Sequence, residues 1–377
     1  MLATGVIRVE RGADRGPFGQ HDFKRTARDI VHHPAFEHIA KADTVEDCVD
    51  CGICLVDRKR TLDVEPQHCL SVTQFPPEDR VVAQTDADAG VVKQVFGRTR
   101  PTMRGDKPNM NYPLRCDDPT ATDIVCDDQV ILTLQYSTQW DSLAHVGQMF
   151  DADGDGKAED VFYNGYRAGR DIIGPAYYDA EGNMTPCDQP QGARHLGVQN
   201  MAESCMQGRG VMIDLEANFG RSGKAVGYDD LMRVMRNDHV VVEPGDFVLF
   251  RTGFDQMLLD MNKQPDRERL FREPCALDGR DPKLQQWVTD SGAVALISDH
   301  FAVEAMPARP CADDYCATLP LHAHCLFRLG CYLGEMFYLT PLADWLRANN
   351  RNRFLFTGPP LRLPGAVGSP ATPVATV

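Results

Sequence analysis

The sequence contains no run of 18 apolar residues, so it offers no candidate transmembrane helix. It also has no cluster of five or more Lys and Arg residues, and its formal net charge is −15. A surface of that sign repels nucleic acid and anionic membranes, and neither is expected as a partner. The N-terminus lacks a basic stretch followed by an apolar one, so no secretory signal is read there. Internal repeats are missing too. What is present is ordinary for a globular protein: 377 residues, 43% hydrophobic and 25% charged, enough to bury a core without staples. The thirteen cysteines are an odd number, and most are scattered singly. The expectation is a cytoplasmic protein with reduced thiols.

Residues 1–85 are rich in charge, His and Cys and read as an N-terminal arm of unclear role, with a short helix over Arg25–Ala40. The stretch from Gln74 to about Asn111 reads as an extended arm rich in Pro, Gly and Arg. Residues 86–377 read as one α/β domain with a central mixed β-sheet and flanking helices. Strands are expected over Asp127–Tyr136, Gly210–Leu215, Phe247–Arg251, Gly292–Ile297 and Cys331–Phe337. Helices are expected over Tyr228–Asn237 and Leu321–Leu329, the second stopped by Gly330. A further helix should start at Thr340-Pro341, with Thr as N-cap and Pro at the first helical position. The Pro- and Gly-rich tail from Gly358 is expected to be irregular.

Polar residues that end a buried strand are candidates for a site, because the strand fixes them and its end is open. Gln139, Asp141 and His145 fall within seven residues. Asp141 offers oxygen to a cation, His145 offers nitrogen or a proton relay, and Gln139 offers a carbonyl oxygen. Such an O/N donor set suits Zn²⁺ or Mn²⁺. His322 in the expected helix and Glu335 in the strand after it could be aimed inward by a helix-turn-strand unit. His324 competes with His322 but should point to another helix face. The plain alternatives are a hydrogen-bonding Asp and His, a core His322 and a surface Glu335.

Several segments, in order, resemble the cyclase family of metal-dependent hydrolases, which includes kynurenine formamidase and isatin hydrolase. Ser137-Thr138-Gln139-Trp140-Asp141-x3-His145 stands where that family has His-x-Gly-Thr-His-x-Asp-x-Pro-x-His. Phe162-Tyr163-Asn164-Gly165, Gly208–Asp214, Gly245–Gly253, Asp299–Glu304, His322 with Gly330 and Glu335, and the tail Pro359–Pro370 follow the family pattern. The resemblance covers roughly residues 95 to 377 and implies a cyclase-like swivelling β/α fold. It also implies hydrolysis of a small amide, cyclic amide or lactone by a metal-activated water, and assembly as a homo-oligomer. In this chain Gln135 and Gln139 stand at two signature His positions, and Leu143 stands at the Pro. Loss of two imidazoles points to one metal, Mn²⁺ or Zn²⁺, drawn from Gln139, Asp141, His145 and His322, with Glu335 a further candidate. His145 and Glu335 are then the catalytic candidates, and His145 could equally be a ligand. Trp140 and Tyr163 could stack on a flat substrate or pack in the core. Arg251 could hold a substrate carboxylate or pair with Asp214 or Asp246. Glu304 is placed with the substrate-binding group. The competing reading is a non-catalytic ligand-binding or scaffold protein of the same fold.

Two further patterns stand outside that scheme. Asp151-Ala152-Asp153-Gly154-Asp155-Gly156 resembles the start of a calcium loop, with Asp151, Asp153 and Asp155 as oxygen donors, but Phe162 stands where the loop needs its bidentate Glu. Cys48-x2-Cys51-x2-Cys54, with His68 or Cys69, could form a zinc or iron–sulfur site and suggests a redox protein as a third reading.

Overall fold

The computed structural model describes Arg98 to Val377, except residues 136, 137, 180, 181, 263 and 314, together with the backbone of three short strands, Cys69–Ser71, Ala83–Thr85 and Val92–Gln94. The expected helix over Arg25–Ala40 and the Cys48, Cys51, Cys54 and His68 cluster lie outside the described residues.

Nine strands form the central sheet. They are β1 (Cys69–Ser71), β2 (Gln139–Asp141), β3 (Gln207–Asp214), β4 (Phe247–Arg251), β5 (Ala295–Ser298), β6 (Tyr332–Glu335), β7 (Arg353–Thr357), β8 (Gly368–Pro370) and β9 (Val374–Thr376). Their spatial order is β1-β9-β7-β3-β4-β5-β6-β2-β8. The middle four, β3-β4-β5-β6, run parallel, and both margins are antiparallel.

The parallel strands are near-continuous apolar runs because both sheet faces are covered. Period-2 alternation sorts their side chains between two cores. Val211, Ile213, Val248, Phe250, Leu296 and Leu333 enter one core. Met212, Phe247, Leu249, Ala295 and Ile297 enter the other. The first core is closed by α1 (Tyr228–Asn237), α2 (Pro282–Ser291) and the helical segment α3, which starts at Pro320–His322 and continues through a wider π turn at Ala323–Leu329. The second is closed by α4 (Thr340–Ala348). Gly330 ends α3 in a left-handed conformation (φ 72°), the backbone role that favours glycine.

Three expectations need correction. The strand expected over Asp127–Tyr136 is only Asp128–Ile131, and it pairs with Arg98–Pro101 in a separate ribbon. Its Val130 and Ile131 are exposed, so the apolar run there is not a core strand. The tail from Gly358 is not irregular. It supplies β8 and β9, whose backbone groups complete both margins of the sheet, and its prolines sit at strand ends and bends. Thr340 is the first residue of its helix and not its cap, since its hydroxyl donates to Asp255 Oδ1 at 2.7 Å.

Phe250 is fully buried at the centre of the parallel strands. Phe250→Ala should cost about 3–5 kcal/mol of unfolding free energy in a denaturant titration.

Candidate metal centre

β2 lies between β6 and β8, antiparallel to both. Its register sets Gln139 opposite Glu335 and Asp141 opposite Leu333. Alternation then puts Gln139 and Asp141 on one face and Trp140 on the other. The first face is the one α3 packs against, and Pro320–His322 brings His322 over it.

Asp141, His322 and Glu335 are buried, and their ligand atoms lie within 4.8 Å of one another. His322 Nε2 is 3.2 Å from Glu335 Oε1, an ion-pair distance. Gln139 Nε2 donates to Glu335 Oε2 at 2.7 Å. Both carboxylate oxygens of Asp141, Oε1 of Glu335 and Oε1 of Gln139 are buried without a hydrogen-bond partner. Orphaned buried acceptors are costly, and those of Asp141 and Glu335, gathered with His322, mark a place that a cation would satisfy. Two carboxylates and an imidazole nitrogen therefore fit a divalent metal ion.

The charges agree with that reading. Burial and the nearby Asp141 charge push the Glu335 carboxyl up to about 7. Burial alone would pull His322 down, but Glu304 and Glu335 outweigh it and raise the imidazole to about 10. The pocket thus draws in positive charge.

Glu304 is fully buried and reaches no open surface, so it does not line a substrate pocket as the family resemblance implied. Its carboxylate accepts from the backbone N–H of Leu321 at 2.9 Å and of His322 at 3.0 Å, which caps α3. It also lies 2.8 Å from His322 Nδ1. Glu304 thereby holds a proton on Nδ1, the usual carboxylate support of a metal-binding imidazole, and a cation bound beside Asp141 and Glu335 would displace the other proton from Nε2. That general rule was the signal available for finding Glu304 from sequence. Val303 and Met336, each with φ 54°, stand beside Glu304 and Glu335. A left-handed β-branched residue is a backbone outlier, and such strain gathers at functional sites.

His145 sits at the rim. Its side chain is 28% exposed and Nε2 lies 3.7 Å from Asp141 Oδ1. Its ring centroid is 6.5 Å from that of His322. His324 turns away and meets Thr289 Oγ1 at 3.0 Å, which leaves His322 as the histidine of the cluster.

Other expected positions fall elsewhere. Trp140 is fully buried between Phe337 and Phe356 and donates Nε1–H to the Gly358 carbonyl at 2.6 Å, so it cannot stack on a substrate. Arg251 is committed to Asp214 at 3.3 Å and to Glu216, so its cation is not free for a substrate carboxylate. Asp246 pairs with Arg209 instead. Half-buried Tyr163 packs against the core near Gly330. Asp151, Asp153 and Asp155 do gather at the turn of an exposed hairpin between Gln148–Phe150 and Glu159–Val161, where Arg167 already pairs with Asp153 at 3.1 Å.

The family model described as "Putative cyclase" matches residues 94–305, more than half of the chain. A solved structure described as a novel cyclase superposes with a TM-score of 0.58 at 22% identity, covering 83% of this chain and 88% of its own. An isatin hydrolase bound to the product analogue thioisatinate superposes with a TM-score of 0.50 at 14% identity, covering 82% of this chain and 92% of its own. At these identities the likeness is one of fold. No curated protein sequence matches the chain.

Two outcomes are expected. Asp141→Asn replaces a buried carboxylate whose oxygens accept no hydrogen bond, beside Glu335. In chelator-treated protein it should raise stability by about 1–3 kcal/mol while abolishing any stabilisation by added Mn²⁺ or Zn²⁺, read as thermal shifts. Burial holds the His300 imidazole down, from 6.5 to about 3. A group depressed on folding gives its full stabilisation above 6.5 and loses it as the pH falls toward 3. His300→Asn should flatten the fall in unfolding free energy across that window.

Proposed function

The chain belongs to the putative cyclase family, and from that premise we propose that it is a metal-dependent hydrolase of a small amide, cyclic amide or lactone, using one divalent ion held by Asp141, His322 and Glu335. The observation that carries this reading is the set of four orphaned buried oxygens on Asp141, Glu335 and Gln139. Mn²⁺ or Zn²⁺ bound there would polarise a carbonyl and acidify a water molecule.

The chain's own groups divide the remaining tasks. Gln139 pins one oxygen of Glu335 and leaves the other directed at His322. Glu304 holds the His322 ring by Nδ1. His145 is the partly exposed imidazole beside the cluster, with Nε2 3.7 Å from Asp141 Oδ1. That suits it to take a proton from water and return it to the leaving nitrogen or oxygen, as general base and then general acid. Because an isatin hydrolase shares the fold, fused cyclic amides are the first substrates to try.

The buried carboxylates and the two glutamines at signature His positions also support a second reading, a binding protein that retains the ion without turnover. Metal analysis with a panel of cyclic amides, formamides and lactones separates the two. The hydrolase reading expects about one ion per chain, lost in Asp141→Ala. It also expects hydrolysis that falls about 10²–10⁴-fold in His145→Ala while the ion stays bound. A metal-loaded protein that binds a panel member without cleaving it supports the second reading, and a protein that takes up no ion removes the first.

A further inference from the structure

The segment that joins Glu304 to His322 carries two cysteines that meet. Cys311 and Cys316 are disulfide-bonded with Cα atoms 6.4 Å apart, within the span a disulfide bridges. The other cysteines whose side chains are described are free, so the expectation of uniformly reduced thiols is corrected here. Cys316 is exposed and Cys311 half-buried. With Ala317 and Thr318, Cys316 lines an open cavity of about 620 Å³ whose far side is formed by Gly147, Val161 and Phe162. Small reagents therefore have access to the sulfur.

One side chain clamps the segment on both sides of the pair. Arg280 Nε donates to the Arg309 carbonyl at 2.9 Å, and Nη2 donates to the Ala317 carbonyl at 2.8 Å. Arg309 answers with a bond to the Arg280 carbonyl at 3.0 Å and an ion pair with Asp278 at 3.2 Å. The residue before Arg280 is Gly279, where any Cβ would collide with the Glu304 carboxylate. Beyond Cys316, only Ala317, Thr318 and Leu319 precede Pro320, where the helix bearing His322 begins. The clamp thus ties the cysteine loop to the backbone packed against Glu304 and to the chain leading into the helix that bears His322.

We propose that Cys311 and Cys316 are a redox-active pair whose disulfide stiffens this segment and tightens the hold of His322 on the metal, an inference that rests on the metal-site reading above. The oxidant is a low-molecular-weight disulfide. One cysteine thiolate attacks it, forming a mixed disulfide and releasing one thiol. The second cysteine then attacks the protein sulfur, closing the Cys311–Cys316 bond and releasing the other thiol. Two protein thiols lose two electrons and two protons, and the reagent leaves as two thiols. Oxidation closes a short ring and removes freedom from the backbone leading to Pro320. Reduction returns that freedom and loosens the support of the imidazole.

The test equilibrates the full chain in oxidised and reduced glutathione buffers, maps the bond by alkylation and mass spectrometry, and measures Mn²⁺ and Zn²⁺ affinity against a chelating dye. Hydrogen exchange over residues 305–322 is followed in parallel, with the double variant Cys311→Ser, Cys316→Ser as the control. Expected are a reversible Cys311–Cys316 bond, about tenfold tighter metal binding when oxidised, and slower exchange of the segment. The double variant should bind like the reduced protein and ignore the buffer. A bound metal whose affinity is the same in both states overturns the proposal and leaves the metal reading intact. If no metal binds in either state, the metal reading fails and exchange decides: a redox-dependent change in the wild type alone supports a switched segment, and no change overturns it.

Discussion

The candidate metal centre depends on the register of a three-residue strand. β2 pairs with β6 so that Gln139 stands opposite Glu335, and the pleat then points Gln139 and Asp141 toward His322. A slip of one residue would turn Asp141 into the core and Trp140 onto the site, because strand side chains alternate strictly. Several contacts hold the register against that slip. Trp140 fills the opposite core and bonds to the Gly358 carbonyl. Thr138 donates to the Met336 carbonyl at 2.9 Å, just beyond Glu335. β8, from the far end of the chain, pairs along the other edge of β2. Gly334 lies against Trp140, Ile297 and Phe337, and a Cβ there would come within 2.9 Å of the Phe337 ring.

Around that register the protein collects negative charge in a dry place. Asp141, Glu304 and Glu335 are all buried, and His322 lies among them. The two glutamates have different tasks. Glu304 is saturated with donors and acts on the imidazole and the start of α3. Glu335 keeps one oxygen without a hydrogen bond, in the same cluster as Asp141 and His322. The difference follows from position. Glu304 lies beneath a helix N-terminus that supplies N–H groups, while Glu335 ends a parallel strand, where open α/β sheets place their sites.

Much of the frame was legible in the chain. Phe247–Arg251 and the segments around Val211 and Leu296 are buried runs because sheets covered on both faces need them, and α1 falls over Tyr228–Asn237 as its pattern predicts. The candidates Asp141, His322 and Glu335 were also visible, as polar residues beside such runs. Alternation could have separated Trp140 from the site once Gln139 and Asp141 were assigned to it. The run at Val130 and Ile131 misled because an exposed ribbon and a core strand share β-branched residues, and local composition does not record what covers them.

Sequence by itself determined the types of the central elements, the two-faced burial of the parallel strands and the residue chemistry suited to a hard or borderline cation. Tertiary structure decided which of those residues meet. Asp141 and Glu335 are 194 positions apart (335 − 141) and become neighbours only through an antiparallel pairing. His322 was chosen over His324 by the face that α3 turns to the sheet. Arg251 was taken from the substrate by Asp214 and Glu216, and Glu304 was given to His322. The tail after Gly358 became sheet because open strand edges at both margins offered its backbone partners. Pairings of this kind depend on distance through space, and no local pattern of residue types encodes it.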